Sequence, residues 1–345
     1  MNKCNNVTHR YYLGAGKNTS SPIDVTLIGV GGNGSNVLTA LARMHYVLVK
    51  LGHPGLAVTA YDGDQITPSN CGRQLFSPAE LGLNKALCMM TRVNNFFSLH
   101  WRGYAHNFDE SVWEDYHYTW GECYQIVISC VDSAKARLVV ERSLKRRKHG
   151  IFLWLDIGNT KSTGQGIIGS IGYRQQPQPP ADNIATVERL PTVIDLYPDI
   201  SEHDSGEEAA PSCSVEEALT RQDLFINKSI STMSMKILFD GIRQGYFDIH
   251  GLFLNLVNMQ MSPLKVSPDT WQAMGYSYSR EQSALKFITF LNDNGISAAK
   301  VLDMLKSSSS KSDIMKGFDK LFEKNSSGSL DKAQDPSNDT VGESQ

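Results

Sequence analysis

The chain has 345 residues, of which 41% are hydrophobic and 20% charged, with a formal net charge of −3. That length can bury a full core in one large or two modest domains, and the near-neutral charge gives no reason to expect nucleic acid or an anionic membrane as a partner. No apolar run reaches the length needed to cross a bilayer, the first residues lack the apolar centre of a signal peptide, and a cytoplasmic location is expected by default.

Residues 1–22 read as a polar arm. Val25 to Val30 is an apolar run with the β-branched bias of a buried strand. It leads into Gly29-x-Gly31-Gly32-x-Gly34 and then a stretch of helical character over 36–50. Strand, glycine turn and helix together form the layout of a nucleotide-binding βα unit. Glycines permit a tight turn and close approach to a phosphate, and the free N–H groups and positive end of the helix hold the anion. Taken alone, this fingerprint fits an NAD or FAD site as well as an ATP site.

Leu56 to Tyr61 reads as a second strand, and residues 62–76 as a long polar loop. Ser77-Pro78-Ala79-Glu80 has the composition of a helix start. A helix over 84–97 places Leu87, Met90, Val93, Asn94 and Phe97 at helical spacing. Further strands are expected at 100–106, 125–131, 151–156 and 164–173, with a helix over 134–148. This alternation predicts an α/β fold with a doubly wound, mostly parallel sheet.

The pattern breaks at Gln175. Residues 175–180 are rich in Pro and Gln, and 199–208 are acidic. Segment 175–214 therefore reads as an exposed crossover or lid. Residues 215–246 read as mostly helical, with Leu224, Ile226, Ile230, Met233, Ile237 and Ile242 as core candidates. Late strands at 252–257 and 263–266 suggest an antiparallel pair at the sheet edge, and 279–306 a small helical region. The expected organisation is an arm (1–22), a nucleotide-binding half (23–174), the crossover (175–214), a completing section (215–306) and a mostly disordered tail (307–345).

The loop after the second strand carries the chemistry. Asp62 stands where an acid holds ribose hydroxyls. Arg73 offers a planar fork and Lys85 a point charge to phosphate oxygens. Both are hard to explain as NAD ligands but suit a triphosphate. Asn70 and Gln74 add neutral donors. Asp132 ends a buried strand on the edge that carries the glycine turn, where a carboxylate suits Mg²⁺ bridging phosphate oxygens. It also stands where an Asp would cap the helix that starts at Ala134. Asp64 reads as a loop-structuring residue.

Four pieces carry a family resemblance: GVGGNGS at 29–35, YDGDQITPSNCGRQ at 61–74, Asn84-Lys85, and CVDSAKAR at 130–137. They resemble the ThiF/MoeB/HesA group, the ubiquitin-activating-enzyme-like adenylyltransferases, over roughly residues 20–260. The run PSCSVEEALTRQDLFIN at 211–227 resembles the ThiF-like proteins of the bacterial PRTRC cassette. The resemblance implies adenylation of the C-terminal glycine carboxylate of a small ubiquitin-like β-grasp protein, with ATP and Mg²⁺. It places Gly29, Gly31, Gly32 and Gly34 against the nucleotide and Asp62 at the ribose. Asn70, Arg73 and Lys85 fall at the phosphates, Gln74 among the nucleotide-binding residues and Asp132 at Mg²⁺, with Arg73, Lys85 and Asp132 carrying the catalysis. Two other readings stay open: an NAD(P)- or FAD-dependent oxidoreductase, and a non-catalytic ATP-binding scaffold.

The chain departs from the family in two respects. Many members bind zinc through paired C-x-x-C motifs, whereas none of the six cysteines here is so arranged, and no zinc is expected. Members are often homodimers in which an N-terminal arginine reaches the partner's nucleotide; Arg10 is the arm's only candidate, and its context does not match. Some relatives use a cysteine on or after the crossover to take the carrier as a thioester or persulfide. Cys213 lies in that region, and the helix expected from Val215 could lower its pKa.

Overall fold

A computed structural model describes residues 7–13, 21–109, 124–146, 151–172, 174–201, 222–279, 297 and 301. The chain divides into two compact units, Met1–Tyr276 and Ser277–Gln345. The first holds every element described below. Among the described residues, no helix is long and apolar enough to cross a membrane.

Strand β1 (Thr8–Tyr12) is followed by β2 (Ile23–Ile28), helix α1 (Gly32–Lys50), β3 (Leu56–Tyr61), helix α2 (Lys85–Phe97) and β4 (Arg102–Tyr104). Next come β5 (Tyr124–Ser129), α3 (Ala134–Lys145), β6 (Ile151–Asn159), β7 (Thr163–Ile171), β8 (Ile184–Thr186) and α4 (Val193–Leu196). The series ends with α5 (Ile226–Gln244), β9 (Tyr246–Phe247), β10 (Ile249–Asn255), β11 (Gln260–Lys265) and α6 (Pro268–Ala273).

The main sheet has the order β11-β10-β7-β6-β5-β2-β3-β4. Strands β2 to β6 pair in parallel, with Ile28 beside Tyr61 on one side and Ser129 on the other. Val25 and Leu27 of β2, like Ile126 and Ile128 of β5, are fully buried, as expected of central strands covered on both faces. From β2 the chain winds outward through β3 to β4. It then returns to place β5 on the other side of β2 and winds the opposite way to β6. With right-handed crossovers, this reversal puts α1 and α3 on opposite faces. It also opens a crevice at the C-terminal ends of β2 and β5, the place where open α/β sheets bind ligands.

The expected α/β fold and its parallel centre are present, and so is the late antiparallel hairpin, β10–β11. Strand β7 belongs with that antiparallel section: it pairs antiparallel with both β6 and β10. Only residues 160–162 separate β6 from β7, too few for a crossover.

Four other expectations are revised. Residues 8–12 of the arm form β1, which lies between β8 and β9 in a second, small sheet. The crossover is not uniformly exposed: Val187, Leu190, Val193 and Leu196 are buried, and Ser170 N–H bonds the Leu190 carbonyl at 3.0 Å. Helix α5 buries Ile226 and Ile230 as expected, but Leu224 and Met233 are exposed, and Ser231, Ser234, Met235, Leu238 and Gly241 take the inner face. Small residues are needed there because α5 lies close on β7, where a Cβ at Gly166 would collide with Ser234. The Ser77–Glu80 start signal makes a single 3-10 turn with a capping box, and α2 begins afterwards, capped by Asn84, whose side chain accepts from Leu87 N–H.

Candidate active site

The glycine turn closes over the end of β5. Gly29 has φ +84°, and a Cβ there would lie 2.8 Å from the Cys130 carbonyl oxygen; both features require glycine. A Cβ at Gly34 would collide with the Gly29 carbonyl. Gly31 is the N-cap of α1 and offers no side chain, and the first turn carries no acid. The leading N–H groups of a 19-residue helix thus keep their unmet donors and positive potential at the crevice.

Asp62 joins this turn to the end of β3. One carboxylate oxygen accepts from Val30 N–H at 2.6 Å, the other from Asp64 N–H at 2.9 Å. Burial pushes its pKa up, and these two N–H donors and Lys85 pull it back. Each oxygen retains a further lone pair. Lys85 is buried and lies 2.8 Å from the exposed Asp64 carboxylate. The Asn84 side chain donates to the carbonyls of Asp62 and Asp64 at 2.7 and 3.0 Å, fixing the loop before Lys85. Asp64 does structure the loop and also holds the Lys85 ammonium.

Asn70 is partly committed to its own turn, because its side-chain oxygen accepts from both the N–H and the hydroxyl of Thr67. The next residues point to a ligand. The Gln74 side-chain amide is buried 3.8 Å from the place a Cβ would occupy on Gly31. Among the described residues, its Oε1 has no hydrogen-bond partner, and neither does the buried Nε of Arg73. Burial pulls the Arg73 pKa down, but a guanidinium stays charged. The buried Arg73 Nε–H beside an uncapped helix start suits an anionic ligand, whereas Gln74 Oε1 accepts and calls for a ligand donor such as a hydroxyl or an amino group.

Asp132 follows β5 and is exposed. The cap of α3 is Ser133, whose side chain accepts from Ala136 N–H, so the capping role falls to Ser133. The Asp132 loop is anchored from below. Arg137 donates to the Val131 carbonyl at 2.9 Å and, through Nε, to both Asp156 carboxylate oxygens at 3.1 and 3.0 Å. Asp156 also accepts from Ser129 Oγ at 2.6 Å, and Ser129 accepts from Trp154 Nε1 at 2.7 Å. This network is almost wholly buried, and a Cβ at Gly158 would lie 2.7 Å from the guanidinium. No group of three or more His, Cys, Asp or Glu side chains that could hold a metal occurs among the described residues. Asp132 is the exposed carboxylate at this edge that could hold a cation.

The fold therefore brings Gly29, Gly31, Gly32, Gly34, Asp62, Arg73 and Gln74 to one turn. Lys85 opens α2 beside them, and Asp132 lies just beyond Cys130. Cys213 and most of the 211–227 run lie outside the described residues. Arg10 lies on β1 with its guanidinium 4.1 Å from the centre of the Tyr246 ring. Gln222 and Asn227 were not singled out from sequence, yet both reach the site. Arg73 Nη1 donates to Gln222 Oε1, and a Cβ on Gly32 would lie 2.6 Å from the Asn227 amide. Both lie in the quoted 211–227 run, which assigns neither of them a role. Arg137 lies within the 130–137 motif, which by itself gives it no role.

A doubly wound sheet with this glycine turn and this acid–arginine–lysine loop is an anion- and nucleotide-binding α/β architecture. The ThiF family profile matches residues 15–269, and the chain belongs to the ThiF family. No curated protein matches it in sequence. Among solved structures, it is similar to MccB from E. coli, at 16% identity and TM-score 0.47, over 71% of this chain and 63% of that one. The same E. coli protein solved with ATP matches at 15% and 0.45, over 71% and 64%. PaaA matches at 14% and 0.44, also over 71% and 64%. The chain thus spans a little under two thirds of the length of these structures.

Proposed function

We propose that this protein is an ATP- and Mg²⁺-dependent adenylyltransferase that activates the C-terminal glycine carboxylate of a small β-grasp protein. The observation that carries the nucleotide reading is the convergence of the uncapped start of α1 with the unpartnered Arg73 Nε–H, both donors to an anion, beside the Gln74 Oε1 acceptor, which a nucleotide hydroxyl or amino group can meet. Membership of the ThiF family supports the reaction class.

In this reading Asp62 accepts ribose hydroxyls with its remaining lone pairs, while its bonds to Val30 and Asp64 hold it in place. The first N–H groups of α1 bind phosphate oxygens. Gln74 and Asn70 offer neutral polar contacts. Arg73 and Lys85 stabilise the charge that builds at the α-phosphorus during attack, and Lys85 would exchange Asp64 for phosphate. Asp132 would hold Mg²⁺, which when bound neutralises phosphate charge and favours pyrophosphate departure. The attacking carboxylate is already ionised at neutral pH, so the chain need supply no general base. Catalysis then reduces to positioning and electrostatics. Cys213 is the candidate acceptor of the activated carrier as a thioester.

The test is carrier-dependent ATP–pyrophosphate exchange. Asp132→Ala and Arg73→Ala should each abolish it, whereas Cys213→Ser should leave it intact and remove only a reductant-sensitive carrier adduct. Exchange that persists in both of the first two variants overturns the site assignment. Calorimetric binding of NAD⁺ with ATP excluded would favour the oxidoreductase reading, and ATP binding without exchange would favour the scaffold.

A further inference from the structure

We infer that Gln222 and Asn227 are positioning residues that set the Arg73 guanidinium over the start of α1; this rests on the nucleotide reading above. Asn227, in the first turn of α5, is 2% exposed and seats its amide against Gly32. It forms a reciprocal amide pair with Gln222: Asn227 Nδ2 donates to Gln222 Oε1 at 3.2 Å, and Gln222 Nε2 donates to Asn227 Oδ1 at 3.3 Å. The same Gln222 oxygen accepts from Arg73 Nη1. Two donors on one carbonyl oxygen fix its direction, so the position of Asn227 on the glycine turn is passed to Arg73. Helix α5 is registered on α1 by a separate contact, since Ser231 Oγ donates to the Asn33 carbonyl at 3.2 Å.

The chemistry of the tether matters. A carboxylate at 222 would pair with the guanidinium and cancel its charge beside the phosphate site. A neutral amide holds one Nη and leaves the full positive charge. It also leaves the remaining donors, including the unpartnered Nε, available. The tether comes from the far side of the crossover, 149 residues along the chain from Arg73. Residues after the crossover thus become part of the phosphate site without touching the ligand.

Calorimetry on the full chain tests this with ATP plus Mg²⁺ and, separately, adenosine, which lacks phosphates. Gln222→Leu should weaken ATP binding by about tenfold and leave adenosine binding unchanged. Gln222→Glu should weaken ATP binding further. Neither substitution should have an effect in an Arg73→Ala background. Equal losses for ATP and adenosine would make Gln222 merely structural and overturn the inference. Losses additive with Arg73→Ala, or wild-type ATP affinity in Gln222→Glu, would also overturn it while leaving the nucleotide reading intact. A wild-type protein that binds no ATP would overturn both.

Discussion

His250 on β10 is fully buried away from the candidate site, and its bonds fix its protonation state. Trp271 Nε1 donates to His250 Nε2 at 2.9 Å, and His250 Nδ1 lies 2.7 Å from the Ile168 carbonyl oxygen. A neutral ring with its proton on Nδ1 satisfies both contacts; a second proton on Nε2 would face the indole N–H. Burial lowers the pKa to about 4, the Ile168 carbonyl pulling only partly the other way. The unfolded chain takes up this proton near pH 6.5, whereas the folded chain refuses it until about pH 4. Stability should therefore fall as pH drops through that window, by about 2 kcal/mol at pH 5 relative to pH 7.5 from this residue alone. Urea unfolding at the two pH values checks it. His250→Gln should lower stability at pH 7.5 yet show a shallower acid loss; an identical slope in wild type and variant would assign the acid loss to other groups.

At the scale of elements, legibility in the sequence followed locality. The β2 strand, the glycine turn, the Asn84 cap and the hairpin β10–β11 were legible because each is written in neighbouring residues. Strand β7 reads as a strand, but its direction is set by the length of the 160–162 turn, which side-chain alternation does not encode. Strand β1 is held by partners far along the chain, Ile184–Thr186 and Tyr246–Phe247, and a polar arm gave no sign of them. The inner face of α5 is not legible in the sequence because Ser231, Ser234 and Gly241 count as polar or neutral while serving as close-approach residues. Likewise, the motifs placed Asp62, Arg73 and Gln74 at the site, but Gln222 and Asn227 acquire meaning only through contacts made after folding. Gly241 gives the α5 face a measurable consequence. In a helix interior Ala is favoured over Gly by about 1 kcal/mol. Here a Cβ would enter the ring of buried Phe247, and overpacking costs about 1–3 kcal/mol. Packing should win, so Gly241→Ala should destabilise the chain to urea. Adding Phe247→Leu, which opens that space, should recover part of the loss; a stabilised Gly241→Ala would mean α5 lies further from β9 than described.

At the scale of the whole molecule, two compact units share the chain unequally. Every described residue of the candidate site, from Gly29 through Asn227, lies in Met1–Tyr276, together with the sheet that positions it and the small sheet that takes in β1. Family membership covers the same ground, since the match ends at residue 269. A nucleotide that binds only the folded state stabilises it by RT ln(1 + [L]/Kd), or about 2.7 kcal/mol at a hundredfold excess over Kd. A chain ending at Tyr276 should therefore fold, bind ATP plus Mg²⁺ with an affinity within about twofold of the full chain, and gain the same ligand-dependent rise in unfolding midpoint. Calorimetry and thermal unfolding with and without nucleotide measure both quantities. Asp132→Ala in the shortened chain should shrink the Mg²⁺-dependent part of the rise and leave the unliganded midpoint near its starting value, because Asp132 is exposed and the α3 cap belongs to Ser133. A shortened chain that folds but loses nucleotide would show that residues 277–345 complete the site, and the self-contained crevice between β2 and β5 would no longer suffice as its description.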